Sequence, residues 1–401
     1  MLLIKNGSIV KNNQLIKKDI LIEDDLIKEV ADEINFDCET IDAKGCLVMP
    51  GAVDVHVHFR EPGFEKKETI LTGTKAAAKG GFTAVMPMPN LNPFPDCYEN
   101  LKVEMDIINK DSVIDCYPYA TVTVAEKDEK MADINGVAKY VKAITDDGRG
   151  VNSLDILKHA CYLAKKYNII VASHAEDNVY KYDPKGEYVA VKREIEIAKE
   201  TMCKYHFCHM STKESFEYIK KAKSEGYKNI TCEVAPHHLL LSSDMIKDGN
   251  WKMNPPLRSK DDVNATVNAL IDGTADMVAS DHAPHTKEEK EVEYSKALNG
   301  IIGIETSIPL IYTYFVKTNK ISLDRFMDLF VYNPNRIFNL GNRYLEKGYV
   351  ADIAILDISN SHKYSVDEIV SKGKNTPFIG YELYGFNKCT IKDGKIIYKV
   401  N

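Results

Sequence analysis

The stretch Pro50-Gly51-Ala52-Val53-Asp54-Val55-His56-Val57-His58-Phe59-Arg60-Glu61-Pro62-Gly63 decides how the rest of the chain is read. Val53, Val55, Val57 and Phe59 alternate with Asp54, His56, His58 and Arg60, and a β-strand sends alternate side chains to opposite faces. One face is therefore apolar and the other chemical. His56 and His58 stand one strand repeat apart, roughly 6.5 to 7 Å between Cα atoms, so two imidazoles can converge on one metal ion. Arg60 follows on that face, placed to meet an anion. A half-exposed edge strand with incidental histidines would show the same alternation. Two features argue against it: Pro-Gly pairs on both flanks confine the strand to a short run ending in a loop, and later strands end in matching chemistry.

Outward from this strand, apolar β-type runs recur near residues 53, 83, 114, 141, 169, 205, 230 and 276, separated by stretches of helical period. Glu65 to Gly80 holds Ile70, Leu71, Thr74 and Ala77 at helical spacing and stops at Gly80-Gly81. Ser211-Thr212-Lys213-Glu214 has the form of a capping box opening a helix through Phe216, Ile219 and Ala222. Eight βα units predict an α/β fold, a closed TIM (β/α)8 barrel. The ends of the chain follow another rhythm. Leu2-Leu3-Ile4, Ser8-Ile9-Val10, Asp19 to Ile22 and Leu26 to Val30 read as short strands, with turns at Asn6-Gly7, Lys11-Asn12-Asn13 and Asp24-Asp25. Asp352 to Leu356, Cys389 to Ile391 and Ile396 to Tyr398 match them, with Asp393-Gly394 as a hairpin turn. The expected organisation is a small β-sandwich domain composed of residues 1–49 and 345–401, around a metal-dependent hydrolase barrel over residues 50–344.

Barrel chemistry gathers at the carboxyl ends of the strands, and polar residues do collect there. Asn90 follows the second strand, Asp146-Asp147-Gly148 the fourth, His174-Ala175-Glu176-Asp177 the fifth, His209 the sixth, Pro236-His237-His238 the seventh and Asp281-His282-Ala283-Pro284-His285 the eighth. Any one of these has an ordinary structural explanation; the whole set does not. Imidazoles and carboxylates are ligands of hydrolytic zinc, which lowers the pKa of its bound water to about 7. His56, His58, His174, His209 and Asp281 can reach one axial cavity, and a bridging carboxylate would allow two metals. Asp147 is the candidate bridge, directly after the fourth strand and before Gly148, while Asp146 is the weaker choice and suits orienting the loop. Arg60, Asn90 and His285 end strands at the same mouth, so the natural guest is an amide or cyclic amide bearing a carboxylate.

The bulk properties narrow the partners. With 401 residues, a formal net charge of −7 and lysines spread along the chain, the electrostatic footprint of a nucleic-acid binder is missing and a small-molecule substrate is expected. The sequence offers no apolar run of membrane-spanning length and no secretory leader, so neither a membrane partner nor export is expected, and the location expected is cytoplasmic. Nine cysteines without a CxxC pair favour reduced thiols.

Several strings carry a more specific message: DVHVHFREPG, PMPN, DDG, HFCHMSTKES, APHHLLL, KMNPPLR and SDHAPH. Through them the chain resembles, over nearly its whole length, the class I dihydroorotases of the amidohydrolase superfamily. The resemblance implies that His56, His58, Asp147, His174, His209 and Asp281 match metal-ligand positions, with Asp147 bridging and Asp281 doubling as proton shuttle. His58, Arg60, Asn90, Asn254, His285, Asn299 and Gly300 match substrate contacts. It implies two zinc ions per subunit, with one as the alternative, and the reversible cyclisation of N-carbamoyl-L-aspartate to L-dihydroorotate in pyrimidine (UMP) biosynthesis. A homodimer and an association with aspartate transcarbamoylase are further expectations. Two departures stand out. Leu298-Asn299-Gly300 replaces the family's Pro-Phe-Gly and alters the apolar wall over the ring, and the span from Asn178 to Glu187 is short, with Asp183-Pro184-Lys185-Gly186 as its turn. His237 and His238 divide evenly between hydrogen bonding behind the site and packing. The competing readings are a hydrolase of hydantoins, dihydropyrimidines or allantoin, which would leave Arg60, Asn90 and His285 little to bind, and an inactive scaffold homologue, which would be expected to have lost ligands that are all present here.

Overall fold

In the computed structural model, which describes residues 1–400, the barrel strands are β1 (Ala52–Val57), β2 (Phe82–Pro87), β3 (Asp115–Cys116), β4 (Ala143–Ile144), β5 (Ile170–Ser173), β6 (Lys204–Phe207), β7 (Ile230–Val234) and β8 (Met277–Val278). All their pairings are parallel, in two arcs ordered β1-β2-β3 and β8-β7-β6-β5-β4. Isolated bridges close the arcs, Val57 with His282 on one side and Ala120 with Ile144 on the other. Backbone hydrogen bonds mark both seams: the His58 N–H reaches the His282 carbonyl at 2.8 Å and the Thr145 N–H reaches Ala120 at 2.9 Å. The result is a (β/α)8 barrel with a β-sandwich domain.

Strand β1 departs from simple alternation. Between Asp54 and Val57 it advances three residues while β2 advances two, Val85 to Pro87, so a β-bulge lies in the middle of the strand. Val53 and Val55 consequently line the barrel interior with Ala84, Met86, Ala143, Ile170, Ala172 and Met277. Val57 and Phe59 instead pack outward in the cluster that holds Ile70 and Ala77 of the following helix. The bulge thus overturns the expected division into one apolar and one chemical face. It sets His56 and His58 above an apolar floor formed by residues of their own strand.

The terminal β-structure is one eight-stranded sheet. It takes Leu2–Lys11, Gln14–Glu23, Leu26–Ala31, Glu39–Asp42 and Cys46–Pro50 from the front of the chain, and Ile353–Asp357, Phe386–Lys392 and Lys395–Lys399 from the back. The two ends are joined where Cys46–Pro50 runs antiparallel to Ile353–Asp357, with Val48 opposite Ile355. Alternation there has a clear output. Cys46, Val48, Ile353 and Ile355 fill the sheet's own core, while Leu47, Met49, Ala354 and Leu356 face the barrel cluster.

Local expectations change in four places. The runs Leu2 to Ile4 and Ser8 to Val10 are one strand, because Asn6, at φ +63°, forms a bulge where a turn was expected. The helix expected from Glu65 starts at Ile70, capped by Thr69, which accepts the Thr72 N–H at 3.1 Å; the preceding residues form turns at the cavity mouth. Its stop is as read, with Gly81 at φ +89°. The capping box at Ser211 to Glu214 does not form, since the buried carboxylate of Glu187 takes the Thr212 hydroxyl at 2.7 Å and the Ser211 N–H at 3.1 Å. Asp183-Pro184 is a helix start, not a turn: Pro184 opens Pro184–Thr201 and Asp183 accepts the Lys185 N–H at 2.8 Å. All nine cysteines are free thiols.

A buried cation joins barrel to sheet. The Arg343 guanidinium, 8% exposed, donates to Thr83 Oγ1 and Asp115 Oδ2, both at 2.8 Å, and to the Asp352 carboxylate at the start of the terminal-sheet strand. Lys392 stands 3.3 Å from both carboxylates. Removing one partner of such a buried group strands the others without compensation, at a cost of about 3 to 5 kcal/mol. Arg343→Met is therefore expected to lower unfolding free energy by about that amount in denaturant titration; a loss under about 1 kcal/mol, the worth of an exposed pair, would show that Lys392 alone satisfies both carboxylates.

Candidate metal centre and anion cavity

The strand ends bring five of the sequence-derived ligands around one carboxylate. Asp147, which is 3% exposed, lies beyond β4 with Oδ1 at 3.4 Å from His56 Nε2, 3.5 Å from His209 Nε2 and 3.8 Å from His174 Nδ1. Its Oδ2 is 3.4 Å from His58 Nε2. Asp281 completes the ring, with Oδ1 3.2 Å from His58 Nε2 and 3.4 Å from His56 Nε2. Tetrahedral ligands about 2.0 to 2.1 Å from a zinc ion stand about 3.3 Å apart, so these separations are the edges of a coordination polyhedron. Of three three-donor groups, one joins His56 with Cys208 and Glu233, and the other two are His56 with His58 and Asp147, and Asp147 with His174 and His209. Asp147 belongs to both of the latter.

The hydrogen bonding favours a cation in this space. His56 Nδ1 is 2.7 Å from Glu233 Oε1, which fixes the proton on Nδ1 and turns the Nε2 lone pair towards Asp147. Neither His56 Nε2 nor Asp147 Oδ1 has a hydrogen-bond partner, although both are buried, a condition that costs several kcal/mol unless a cation satisfies them. His174 Nδ1 lies 3.0 Å from His209 Nε2, so the two ring nitrogens that flank Asp147 converge. Asn254 abuts the far side of the His174 ring at 3.0 Å from Nε2, where its unpartnered Oδ1 could accept the ring proton after an amide flip. The residues fit a metal pair on these grounds.

Several groups hold this arrangement in place. Burial would push the Asp147 carboxyl up, but the neighbouring His56, His209 and His58 imidazoles outweigh it and hold the group well below the usual range. Asp281 behaves likewise: burial raises it, and the His58 hydrogen bond with the charges of His56 and His209 lowers it further, so it stands ionised. Glu233, central in β7, is brought to about 2, where burial is overcome by His56 and His206. It accepts from His206 Nε2 at 3.0 Å and from the His209 N–H at 3.2 Å. Asp146 takes the Val122 N–H at 2.8 Å and the Thr123 N–H at 3.1 Å, orienting the loop beside the site. Arg60, His209 and Asp281 have φ of +64°, +36° and +49°, conformations that persist at functional sites when the surroundings impose them.

A cavity of about 320 Å³ opens beside Asp147 and Asp281, lined among others by His58, Arg60, Asn90, Asn254, Asn299 and Gly300. Arg60 is buried enough to fall to about 10, and its contacts are the Pro284 carbonyl at 3.4 Å and His285 Nε2 at 3.5 Å. His285 is turned the other way. Its Nε2 donates to the Asn299 carbonyl at 2.7 Å, Lys67 approaches Nδ1 at 3.4 Å, and burial with the Arg60 and Lys67 charges takes it down to about 3, so the ring is neutral. Asn90 gives its amide hydrogens to Glu126, at 3.1 and 3.2 Å, and to the Asp147 carbonyl at 2.7 Å, leaving Oδ1 free. His238 donates to the Pro255 carbonyl at 2.9 Å and so supports the Asn254 loop, whereas nothing in the structure gives His237 Nε2 a partner.

Sequence reasoning missed Glu233, and at the cavity Glu126, Arg149 and Lys67. Glu233 did leave a signal, an acid inside the apolar run Ile230-Thr231-Cys232-Glu233-Val234. Asp54, read only as a member of the polar face, was given no role; it accepts the Ser280 N–H at 3.1 Å and the His56 N–H at 3.1 Å, locking β1 to the end of β8.

Residues 47–397 match the family model described as the amidohydrolase family. A dihydroorotase of Fusobacterium nucleatum is 43% identical, with 99% of this chain and 98% of that protein covered. A dihydroorotase of Staphylococcus epidermidis is also 43% identical, over 100% and 99%. Among solved structures, L-hydantoinase (dihydropyrimidinase) from Arthrobacter aurescens superposes with a TM-score of 0.89 at 24% identity, covering 99% and 96%, and dihydropyrimidinase from Brevibacillus agri with 0.88 at 22%, covering 99% and 95%. These structures speak for the fold.

The Glu233 contact generates a test. Glu233→Gln removes the charge opposing His56 and puts an amide N–H where His56 needs an acceptor, so metal affinity is expected to fall 10- to 100-fold, the usual cost of losing such support behind a ligand. Chelator competition on the purified protein measures it; unchanged affinity would show that the Nδ1 contact does not set the tautomer.

Proposed function

Because the chain belongs to the amidohydrolase family and is a cyclic-amide hydrolase of the dihydroorotase kind, we propose that it interconverts N-carbamoyl-L-aspartate and L-dihydroorotate in pyrimidine synthesis, using zinc held by His56, His58, Asp147, His174, His209 and Asp281. The observation that carries this reading is the conjunction, in one cavity, of the ligand cluster with Arg60, whose guanidinium has only weak contacts of its own. Bound there, zinc would polarise the amide carbonyl and lower the pKa of a bound water to about 7.

The chain's own residues do the rest. Arg60 pairs with the substrate carboxylate as a fork of donors, and Asn90, Asn254 and the Asn299-Gly300 backbone flank the ring. In hydrolysis the water oxygen bonds to the ring carbonyl carbon and the ring C–N bond breaks; Asp281, ionised in the resting site, takes the water proton and returns it to the leaving nitrogen. In cyclisation the same carboxyl delivers its proton to the departing oxygen. Carbamoyl aspartate has two carboxylates and the ring product one, so closure takes up a proton and its apparent equilibrium shifts about tenfold towards the ring per pH unit lowered. Hydrolysis should accordingly rise, and cyclisation fall, as pH increases.

A metal-analysed sample assayed with L-dihydroorotate, hydantoin and allantoin tests the reading: dihydroorotate is expected to be strongly preferred, and a preference for either uncarboxylated ring would favour a hydantoinase-type enzyme. In the same assay Asp281→Asn is expected to lose about 10² to 10⁴ in turnover while retaining metal; wild-type turnover would remove Asp281 from proton transfer.

Replacing Arg60 by Lys leaves a point charge in place of a planar fork. The expected result is a sharp rise in KM for dihydroorotate with a much smaller effect on dihydrouracil, which has no carboxylate. Equal losses on both substrates would argue that Arg60 shapes the loop and does not bind the anion.

A further inference from the structure

From the hydrogen-bond pattern at the cavity rim we infer that Asn375 is a positioning residue that sets substrate affinity, an inference that rests on the reaction proposed above. Asn375 lies far from the barrel in sequence, between the terminal-sheet strands Ile353–Asp357 and Phe386–Lys392, yet it is 3% exposed and wedged between two cavity segments. Its Nδ2 donates to the Ala283 carbonyl at 3.1 Å and the Gly300 carbonyl at 3.0 Å, and its Oδ1 accepts the His285 N–H at 3.0 Å. Its backbone carbonyl takes the Ile302 N–H at 2.9 Å. The amide thus adds side-chain ties between the segments 283–285 and 299–302, beside the Ala283 N–H to the Ile301 carbonyl at 2.8 Å and His285 Nε2 to the Asn299 carbonyl at 2.7 Å.

The second segment meets the cavity with backbone at 299–300, while Ile301 and Ile302 behind it pack in an apolar cluster. Leu298 is 43% exposed, and the apolar wall expected from a Pro-Phe-Gly sequence is replaced by backbone. Gly300 stands at φ +129°, where a Cβ would fall 2.6 Å from Ala283 Cβ and 2.9 Å from the Ala283 carbonyl, so the two segments touch main chain to main chain. Lys290 holds the other side, its ammonium donating to Leu298 and Gly300 carbonyls, both at 2.8 Å, and to Lys252 at 3.0 Å. The segment bearing Asn375 is itself anchored to the barrel, with Glu305 accepting the Val370 and Ser371 N–H groups at 3.0 Å and Glu68 accepting the Ser371 hydroxyl.

Asp281 is fixed by other means. Asp54 holds the Ser280 N–H and His58 holds the carboxylate, so loosening Asn375 would widen the wall around the ring while leaving the proton-transfer group in place. The signature is a change in KM separated from kcat.

The test uses Asn375→Asp, nearly the same shape, which keeps the acceptor for His285 but turns a carboxylate oxygen towards two carbonyls; Asn375→Ala is the second variant. On the metal-loaded enzyme, KM for dihydroorotate should rise tenfold or more with kcat within threefold of wild type. Amide hydrogen exchange read without substrate should quicken over residues 283–302 and stay unchanged in β1 and β5. A KM within threefold of wild type, a kcat falling as far as KM rises, or unaltered exchange over 283–302 would overturn the inference. A wild-type enzyme that does not turn over dihydroorotate would instead sink the proposed reaction, and the exchange data would still judge the clamp.

Discussion

The burial of the Asp147 carboxylate among four imidazoles is the constraint on which the rest depends. Distances of 3.4 to 3.8 Å to His56, His58, His174 and His209 are too long for good hydrogen bonds and too short to admit a water between each pair. An anion buried on those terms is costly, and the ring nitrogens that face it cannot all be protonated without repelling one another. Cations at the centre remove both problems. The candidate ligands then have to arrive from five strand ends at the same point, His56 and His58 sharing one, which a closed barrel does by geometry and an open sheet does not.

Closure accounts for features that look local. The bulge in β1 turns His56 and His58 to the interior above Val53 and Val55, and Asp54 ties that strand to Ser280 across the seam. Glu233 then works in two directions, holding the His56 ring by its side chain and the His209 backbone by its N–H. Far from this cluster, Arg343 binds carboxylates from both the barrel and the terminal sheet, so the sheet formed by the two chain ends acts as a structural support for the strands that carry the ligands.

How much of this was legible follows from the range of each interaction. The run of barrel strands and the gathering of polar residues at their ends were readable because period-two apolar runs and polar strand ends are short-range patterns. The β1 bulge was not, since alternation in sequence is the same whether or not the neighbouring strand slips by one residue. The box at Ser211 to Glu214 failed because a carboxylate from another helix, Glu187, captured the capping groups, a competition no local window contains. The helix after β1 began late for a comparable reason, its first turn being given to the loop that carries Lys67 to the cavity. Asp146 and Asp147 show the intermediate case: adjacency could not choose between them, but pleating points one towards the Val122 and Thr123 amides and the other into the barrel.

The charges at the cavity raise a last point about recognition. Arg60, Lys67 and Arg149 face Glu126, Asp147 and Asp281 across a space of about 320 Å³, so the cavity does not attract anions by sign alone. Of the three carboxylates, Glu126 is pushed well above the usual range by burial and the neighbouring Asp146 and Asp147, whereas Asp147 and Asp281 are held below it. Glu126 accepts from the Asn90 amide at 3.1 and 3.2 Å, and Arg149 Nε lies 3.9 Å from it with a side chain that is 59% exposed. The sign of the cavity thus rests less on the number of cations around it than on which of its three carboxylates are charged.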